Sequence, residues 1–235
     1  MNKQTSKTHI YMALYIFGAF LGLLLIFLST WADLESSFYG FDRTGGSPFT
    51  TLRCPVIMTP TETSSFSVRV TNTADRRIAP SLIADISTPL VMNASTENLT
   101  LEPGESRRVS WAVGPENIDL KRFIFARAWL HAAYPLPDRE STCGIYILFL
   151  PGKGIYYTWG AVLLSIFGMG YGLYMMRREE NPEKDNDVIS RLTLLAAIVL
   201  IGFVFVYTGF WLGGILILVL AFLLVVISIG YSFKQ

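Results

Sequence analysis

The sequence predicts a mixed membrane protein: four transmembrane α-helices with both termini on the cytoplasmic side, and an all-β domain outside, between the first and second helices. Three observations predict it. Of 235 residues, 51% are hydrophobic and only 16% charged, well below the quarter usual in soluble domains. Long stretches without charge stand near both ends of the chain. Between them, residues of about 33 to 152 break into short runs that alternate apolar and polar, separated by turn clusters, as strands do.

The first span runs from Ile10 to Trp31, and roughly 20 apolar residues suffice to cross about 30 Å of hydrocarbon. A cleavable signal peptide competes, with Thr30-Trp31-Ala32 as its site, but the apolar run exceeds a signal core. A second span covers 155–176 and is followed by the charged "RREENPEKDNDVISR", where Asn181-Pro182 breaks the helix. The apolar stretch from Leu192 to Phe233 is too long for one crossing. Its midpoint, "GFWLGG", places Gly209, Gly213 and Gly214 at an expected turn between spans 192–211 and 215–233.

Orientation follows from short-loop lysine and arginine. Lys3, Lys7, Arg177, Arg178, Lys184, Arg191 and Lys234 fall on one side, and the hairpin turn has none. Trp31, Tyr156, Tyr157, Trp159 and Trp211 mark the outer boundary. The expected organisation is a cytoplasmic N-terminus (1–9), a first span (10–31), an extracytoplasmic domain (32–152), a second span (155–176), a cytoplasmic loop (177–191) and the two remaining spans. The expected location is the plasma membrane, with the lipid bilayer as the first partner.

In the outer domain, Phe66, Val68 and Val70 alternate with Ser67, Arg69 and Thr71, and Val109, Trp111 and Val113 alternate after a turn at Pro103-Gly104. Asn72, Leu101 to Ser106 and Val109 to Val113 together resemble the bacterial immunoglobulin-like modules of cell-surface proteins. The resemblance covers about half the chain and implies a β-sandwich more than a task. An outward compartment is oxidising, so Cys54 and Cys143, at the first and last strands, are expected to form a disulfide. Two free buried cysteines are the alternative. A metal site lacks ligands, with two cysteines and one histidine at hand.

"KRFIFARAWLHAAY" (121–134) is unusual. Read as a strand, it puts Ile124, Ala126, Ala128, Leu130 and Ala132 on one face and Phe123, Phe125, Arg127, Trp129 and His131 on the other. A sheet with one wet face alternates apolar and polar, whereas a strand apolar on both faces is covered on both. The covering surface is a protein partner or this chain's own membrane half. The alternatives are an aromatic row that is itself the core, with a shallow alanine face outside, and an amphipathic helix capped by Asn117 or Asp119.

Gly18 with Gly22, and Gly168 with Gly172, space small residues for close helix approach, between these spans or with a partner's helix. Asn93 and Asn98 begin glycosylation sequons. The span interiors carry no ionisable Asp, Glu, Lys, Arg or His, which argues against a pump or carrier. No motif specifies a catalytic residue, cofactor or metal, the net charge of +1 gives no pull toward nucleic acid, and His131 reads as packed or interfacial. Asp33, Glu35, Asp42 and Arg43 read as a solvated linker rather than the polar cluster of a lipid-modifying enzyme. The expected function is a non-catalytic accessory or scaffolding subunit that contacts other membrane subunits through its outer sheet and glycine-bearing helices. The alternative is an outer recognition or sensor module for a glycan, envelope polymer or ligand.

Overall fold

The computed structural model describes residues 3–41, 46–89, 92–131, 134–179 and 186–232. It divides into two compact units, residues 1–30 with 157–235, and residues 31–156.

The helical unit is built from α1 (Lys3–Phe38), α2 (Gly154–Glu179), α3 (Asn186–Thr208) and α4 (Trp211–Ser232). Among the described residues these four helices are long and apolar enough to cross a membrane. Tyr15, Ala19, Ile26, Met169, Leu195, Val199 and Ile217 form their buried core, and the Tyr15 hydroxyl donates to the Leu192 carbonyl at 2.6 Å. The α3–α4 turn is shorter than expected. It is made at Gly209, whose φ of +68° suits glycine, while Gly213 and Gly214 already lie inside α4. Gly214 stays small for another reason: a Cβ there would collide with the Thr30 side chain. Ala132, Asn181, Pro182, Lys184, Phe233 and Lys234, used in the sequence reading, lie outside the described residues, as do Asp42 and Arg43.

α1 departs from expectation. It runs seven residues past Trp31, where the span was expected to end, and its 36 residues measure about 54 Å at 1.5 Å each. Nothing in "ADLESSF" (32–38) breaks a helix, since Gly40 is the first such residue. The Trp31 indole N–H donates to Glu35 Oε1 one turn on, at 3.0 Å.

The β unit is a two-sheet sandwich. β1 (Ile57–Met58), β2 (Ser64–Thr71), β3 (Ser81–Ile86), β4 (Asn93–Asn98), β5 (Ser106–Val113), β6 (Phe123–His131) and β7 (Arg139–Ile147) are its strands among the described residues. One sheet has the order β1-β7-β6-β3-β4 and the other pairs β2 with β5. All pairings are antiparallel except β1 with β7. Phe66, Val68 and Val70 of β2 and Val109, Trp111 and Val113 of β5 share one core with Leu82, Ala84, Ile124, Ala126, Ala128, Leu130, Ile145 and Ile147.

The alanine row of β6 is therefore the sandwich core, which corrects the reading that made it a shallow outer face. Opposite alanines there is room for bulk, and the narrow sheet supplies Phe66 and Trp111, stacked at 5.0 Å. The amphipathic-helix alternative falls too, because residues 123–131 are a strand. Cys54 stands three residues before β1 rather than opening a strand. It is joined to Cys143 of β7, with Cα atoms 6.6 Å apart.

The stretch that resembles immunoglobulin-like modules has a local cause. Asn72 is fully buried at the end of β2. Its Nδ2 donates to the carbonyls of Arg76 and Leu101, and its Oδ1 accepts from the Ala74 amide. The Gly104 amide donates to the Asn72 carbonyl, in a turn that holds Gly104 at φ +76°. One asparagine thus ties two turns together with its whole hydrogen-bonding capacity near saturation.

Candidate functional site

The aromatic face of β6 is where the sequence and structure differ most informatively. Its lower half is covered by this chain's own residues 31–41. Gly144 of β7 lies opposite Phe125 in the ladder, and a Cβ on it would collide with the Ala32 carbonyl. Glycine is the residue that lets another backbone come this close to a strand. The end of α1 lies there, and the Gly144 amide donates to Asp33 Oδ1 at 3.0 Å. Asp33, expected in a solvated linker, is 8% exposed, and its carboxylate satisfies an amide on a strand whose partner β1 reaches only Tyr146 and Ile147.

Around this contact Trp31 meets Phe123 edge-on at 5.3 Å, and Tyr39 lies 4.5 Å from Phe125. Phe41 and Tyr146 complete the cluster. The Tyr39 hydroxyl donates to Asp119 Oδ2 at 2.6 Å. Desolvation, reinforced by the Asp119 carboxylate, pushes the Tyr39 phenol up to about 12. Phe123 and Phe125 are consequently filled positions, closed to an outside partner.

Above them Arg127 anchors a buried ionic group. Its Nε and Nη2 donate to Asp85 Oδ2 at 2.7 and 2.6 Å, and its Nη1 reaches Glu140 Oε1 at 3.5 Å. Arg127 and Asp85 are 5% and 7% exposed. The guanidinium lies 5.7 Å from the rings of both Phe41 and Trp129. A buried charge needs a partner and hydrogen bonds, and the strand ladder provides the first by setting Asp85 opposite Arg127.

The upper half of the row is open. Trp129 is half-buried and rests 4.9 Å from the His131 ring. His131 is exposed, with Nδ1 3.0 Å from Asp138 Oδ2. The Trp129 indole N–H is buried without a hydrogen-bond partner among the described residues. Nearby in sequence Tyr134 is 79% exposed, with the Arg76 guanidinium 4.8 Å over its ring. The expected row is thus divided at Arg127 into a self-covered half and an open one. Sequence reasoning missed Asp33, Tyr39, Phe41 and the Asp85–Arg127–Glu140 group. Two signals pointed to them: a glycine inside an apolar strand, and single opposite charges in the apolar strands "LIADI" and "FIFARAWL".

The four glycines singled out in the helices lie along the contact of α1 with α2, where Gly18 meets Gly168 directly. A Cβ on Gly18 would lie 2.8 Å from the Met169 amide nitrogen and 2.9 Å from the Ser165 carbonyl. One on Gly168 would lie 2.9 Å from the Leu14 carbonyl, and one on Gly172 the same distance from that of Tyr11. Gly22 abuts the Ser165 side chain. The α1 and α2 backbones therefore touch along this seam.

Fold and site together define a β-sandwich module joined to four helices of membrane-spanning length. No family model and no curated protein matches the chain. Solved structures similar to it include a Bacteroides uniformis β-glucuronidase, at 18% identity and TM-score 0.33, covering 40% of this chain and 12% of that one. The CARDB domain of a Pyrococcus furiosus protein aligns at 11% identity and TM-score 0.33, over 46% of this chain and 98% of that one. Spo0M, a sporulation control protein of Bacillus subtilis, aligns at 14% identity and TM-score 0.30, over 46% and 51%. This chain spans only 12–14% of the length of the first solved structures it resembles. Likeness of this degree assigns no activity.

Proposed function

We propose that this chain is a non-catalytic accessory or scaffolding subunit of a larger plasma-membrane complex, with both termini cytoplasmic and an immunoglobulin-like module outside. The module reading is supported by β2 and β5 facing β3, β6 and β7, as strands B and E face C, F and G in that fold. The orientation is supported by Arg177, Arg178 and Arg191 at one end of the helices, and by a disulfide that suits an oxidising side.

The observation that carries the subunit reading is the open half of the β6 row. Trp129 sits there half-exposed between Arg127 and His131. Tryptophan, tyrosine and arginine are the usual anchors of protein contacts, and Trp129 and His131 are the members of the row that this chain leaves accessible. The test places a photo-crosslinking side chain at His131, with Arg69 on the other sheet as the control, in the native membrane. The expected result is one membrane-protein adduct at His131, none at Arg69, and copurification in fixed ratio. A monomer with no adduct overturns the reading.

The half-exposed Trp129 also favours a second reading, an outer recognition module for a glycan, polymer or ligand. Protection of Trp129 from solvent oxidation by a soluble envelope glycan, with no protein adduct, is the result that would put it first.

A further inference from the structure

We propose that the tight turn leading into β6, residues 119–122, dips Leu120 into the outer leaflet of the bilayer, a lipid contact of the β unit in addition to its covalent tethers. It rests on the reading that the helices cross a membrane with the β unit outside.

Backbone geometry is the first observation. The Arg122 amide donates to the Asp119 carbonyl at 3.1 Å and closes the turn. Leu120 and Lys121 stand inside it at φ of +47° and +62°. Residues with a Cβ disfavour this left-handed region, and a turn with both central residues at positive φ takes Asn-Gly or Asp-Gly by preference. Here Leu-Lys stands instead, and Leu120 is 58% exposed. A leucine at such a tip is unfavourable in water on two counts, and strain of this kind marks functional positions.

Connectivity supplies the partner. The chain enters the β unit at Trp31 and leaves it at Tyr156. Trp31 meets Phe123, the first residue of β6, at 5.3 Å, and Tyr146, near the end of β7, at 6.2 Å. The Gly154 amide donates to Glu62 Oε2 at 2.7 Å. A Cβ on Gly154 would collide with the Ile57 carbonyl, in the strand that pairs with Tyr146 and Ile147. Both connections therefore join one end of the sheet, where β6 begins and β7 ends, and they turn that end toward the bilayer. The turn lies there too, because it directly precedes Phe123 and the Ile147 amide donates to the Arg122 carbonyl at 2.7 Å.

The neighbours suit an interface. Phe149, between β7 and α2, is 65% exposed, and Leu150 is exposed beside it. Lys121 and Arg122 are exposed, and neither has an ion-pair partner among the described residues. Long basic side chains lay their stems along apolar surface and keep their charge at the headgroups, while the apolar tip enters the acyl boundary.

The test is site-directed fluorescence of the full protein in dioleoylphosphatidylcholine nanodiscs. The two cysteines of the chain are joined to each other, so one added cysteine takes the label. A nitrobenzoxadiazole on Leu120→Cys is expected to emit to the blue of the free dye and to be quenched by lipids with a nitroxide at the headgroup. The same label on Glu97→Cys, exposed on β4 and level with Leu130 toward the far end of β6, is not quenched. Leu163→Cys, exposed in α2, reports the spanning itself and is quenched by a nitroxide midway along the acyl chain. A label on Arg122→Cys loses most of its quenching when Leu120→Asn and Lys121→Gly are added, a pair that keeps the turn because both residues tolerate its positive φ. Absence of quenching at Leu120→Cys with quenching at Leu163→Cys overturns the proposal and leaves the spans in place, whereas absence at Leu163→Cys overturns the spanning reading. A blue-shifted Leu120→Cys label that nitroxide lipids do not reach is buried in protein and overturns the proposal, as does Arg122→Cys quenching that survives the double change.

Discussion

The Gly144 amide donates to the Asp33 carboxylate at 3.0 Å, and the Ala32 carbonyl occupies the place of the missing Gly144 side chain. Through this contact the last turns of α1 become part of the β unit. Gly144→Val is expected to push α1 off β7 and to destabilise the β unit by about 1–3 kcal/mol, the usual cost of overpacking. Thermal unfolding of the full protein, followed by near-ultraviolet circular dichroism of the Trp31 and Tyr39 environment, measures it. Gly170→Ala, where a Cβ meets open space, is the matched control and leaves the midpoint unchanged.

The Asp85–Arg127–Glu140 group gives a prediction of opposite sign for single and combined changes. Arg127→Ala removes the guanidinium that holds the Asp85 carboxylate in a buried site, and breaking such a pair costs about 3–5 kcal/mol. Replacing all three by apolar residues (Asp85→Leu, Arg127→Met, Glu140→Leu) costs less than the single change, because no charge is left without a partner. Denaturant midpoints of the two variants decide this. A triple variant weaker than Arg127→Ala would show that the ion group itself provides net stability.

The disulfide closes a sequence separation of 89 residues, and the chain-entropy model sets its stabilisation at about 4.6 kcal/mol. Cys54→Ser with Cys143→Ser is expected to lower the unfolding midpoint of the β unit. Maleimide labelling of native protein finds no reactive thiol until a reductant is added, and labelling before reduction would remove the crosslink from the account.

Tyr39 sets an alkaline limit. Its phenol is raised from the ordinary value near 10 to about 12, so the folded state favours the neutral form that donates to Asp119. The stability this contributes is fully present below pH 10 and is lost as pH rises through about 12. Absorbance titration near 295 nm should show a late-ionising tyrosine that Tyr39→Phe deletes. An unchanged titration in that variant contradicts the assignment.

How much of this was written in the chain differs by element. Helix-length apolar runs made four helices legible, because each residue's solvent preference is set by its own side chain and sums along the run. Period-two alternation made β2 and β5 legible for the same local reason, and the two cysteines were visible as a pair. The α3–α4 turn was misplaced by a few residues, because three glycines had equal claims and only Gly209 needed a positive φ; Gly214 was kept small by Thr30, a residue far away in sequence.

The face of β6 was beyond local reading. The sequence by itself determined that neither face of this strand is conventionally wet. Only the tertiary structure decided that the alanines share a core with Phe66 and Trp111, that Phe123 and Phe125 lie under residues 31–41, and that Trp129 and His131 stay open. The physical reason is that burial of a two-sided strand depends on which distant segment arrives, and that was decided by a backbone-to-backbone approach at Gly144, whose signal is an atom that is not there.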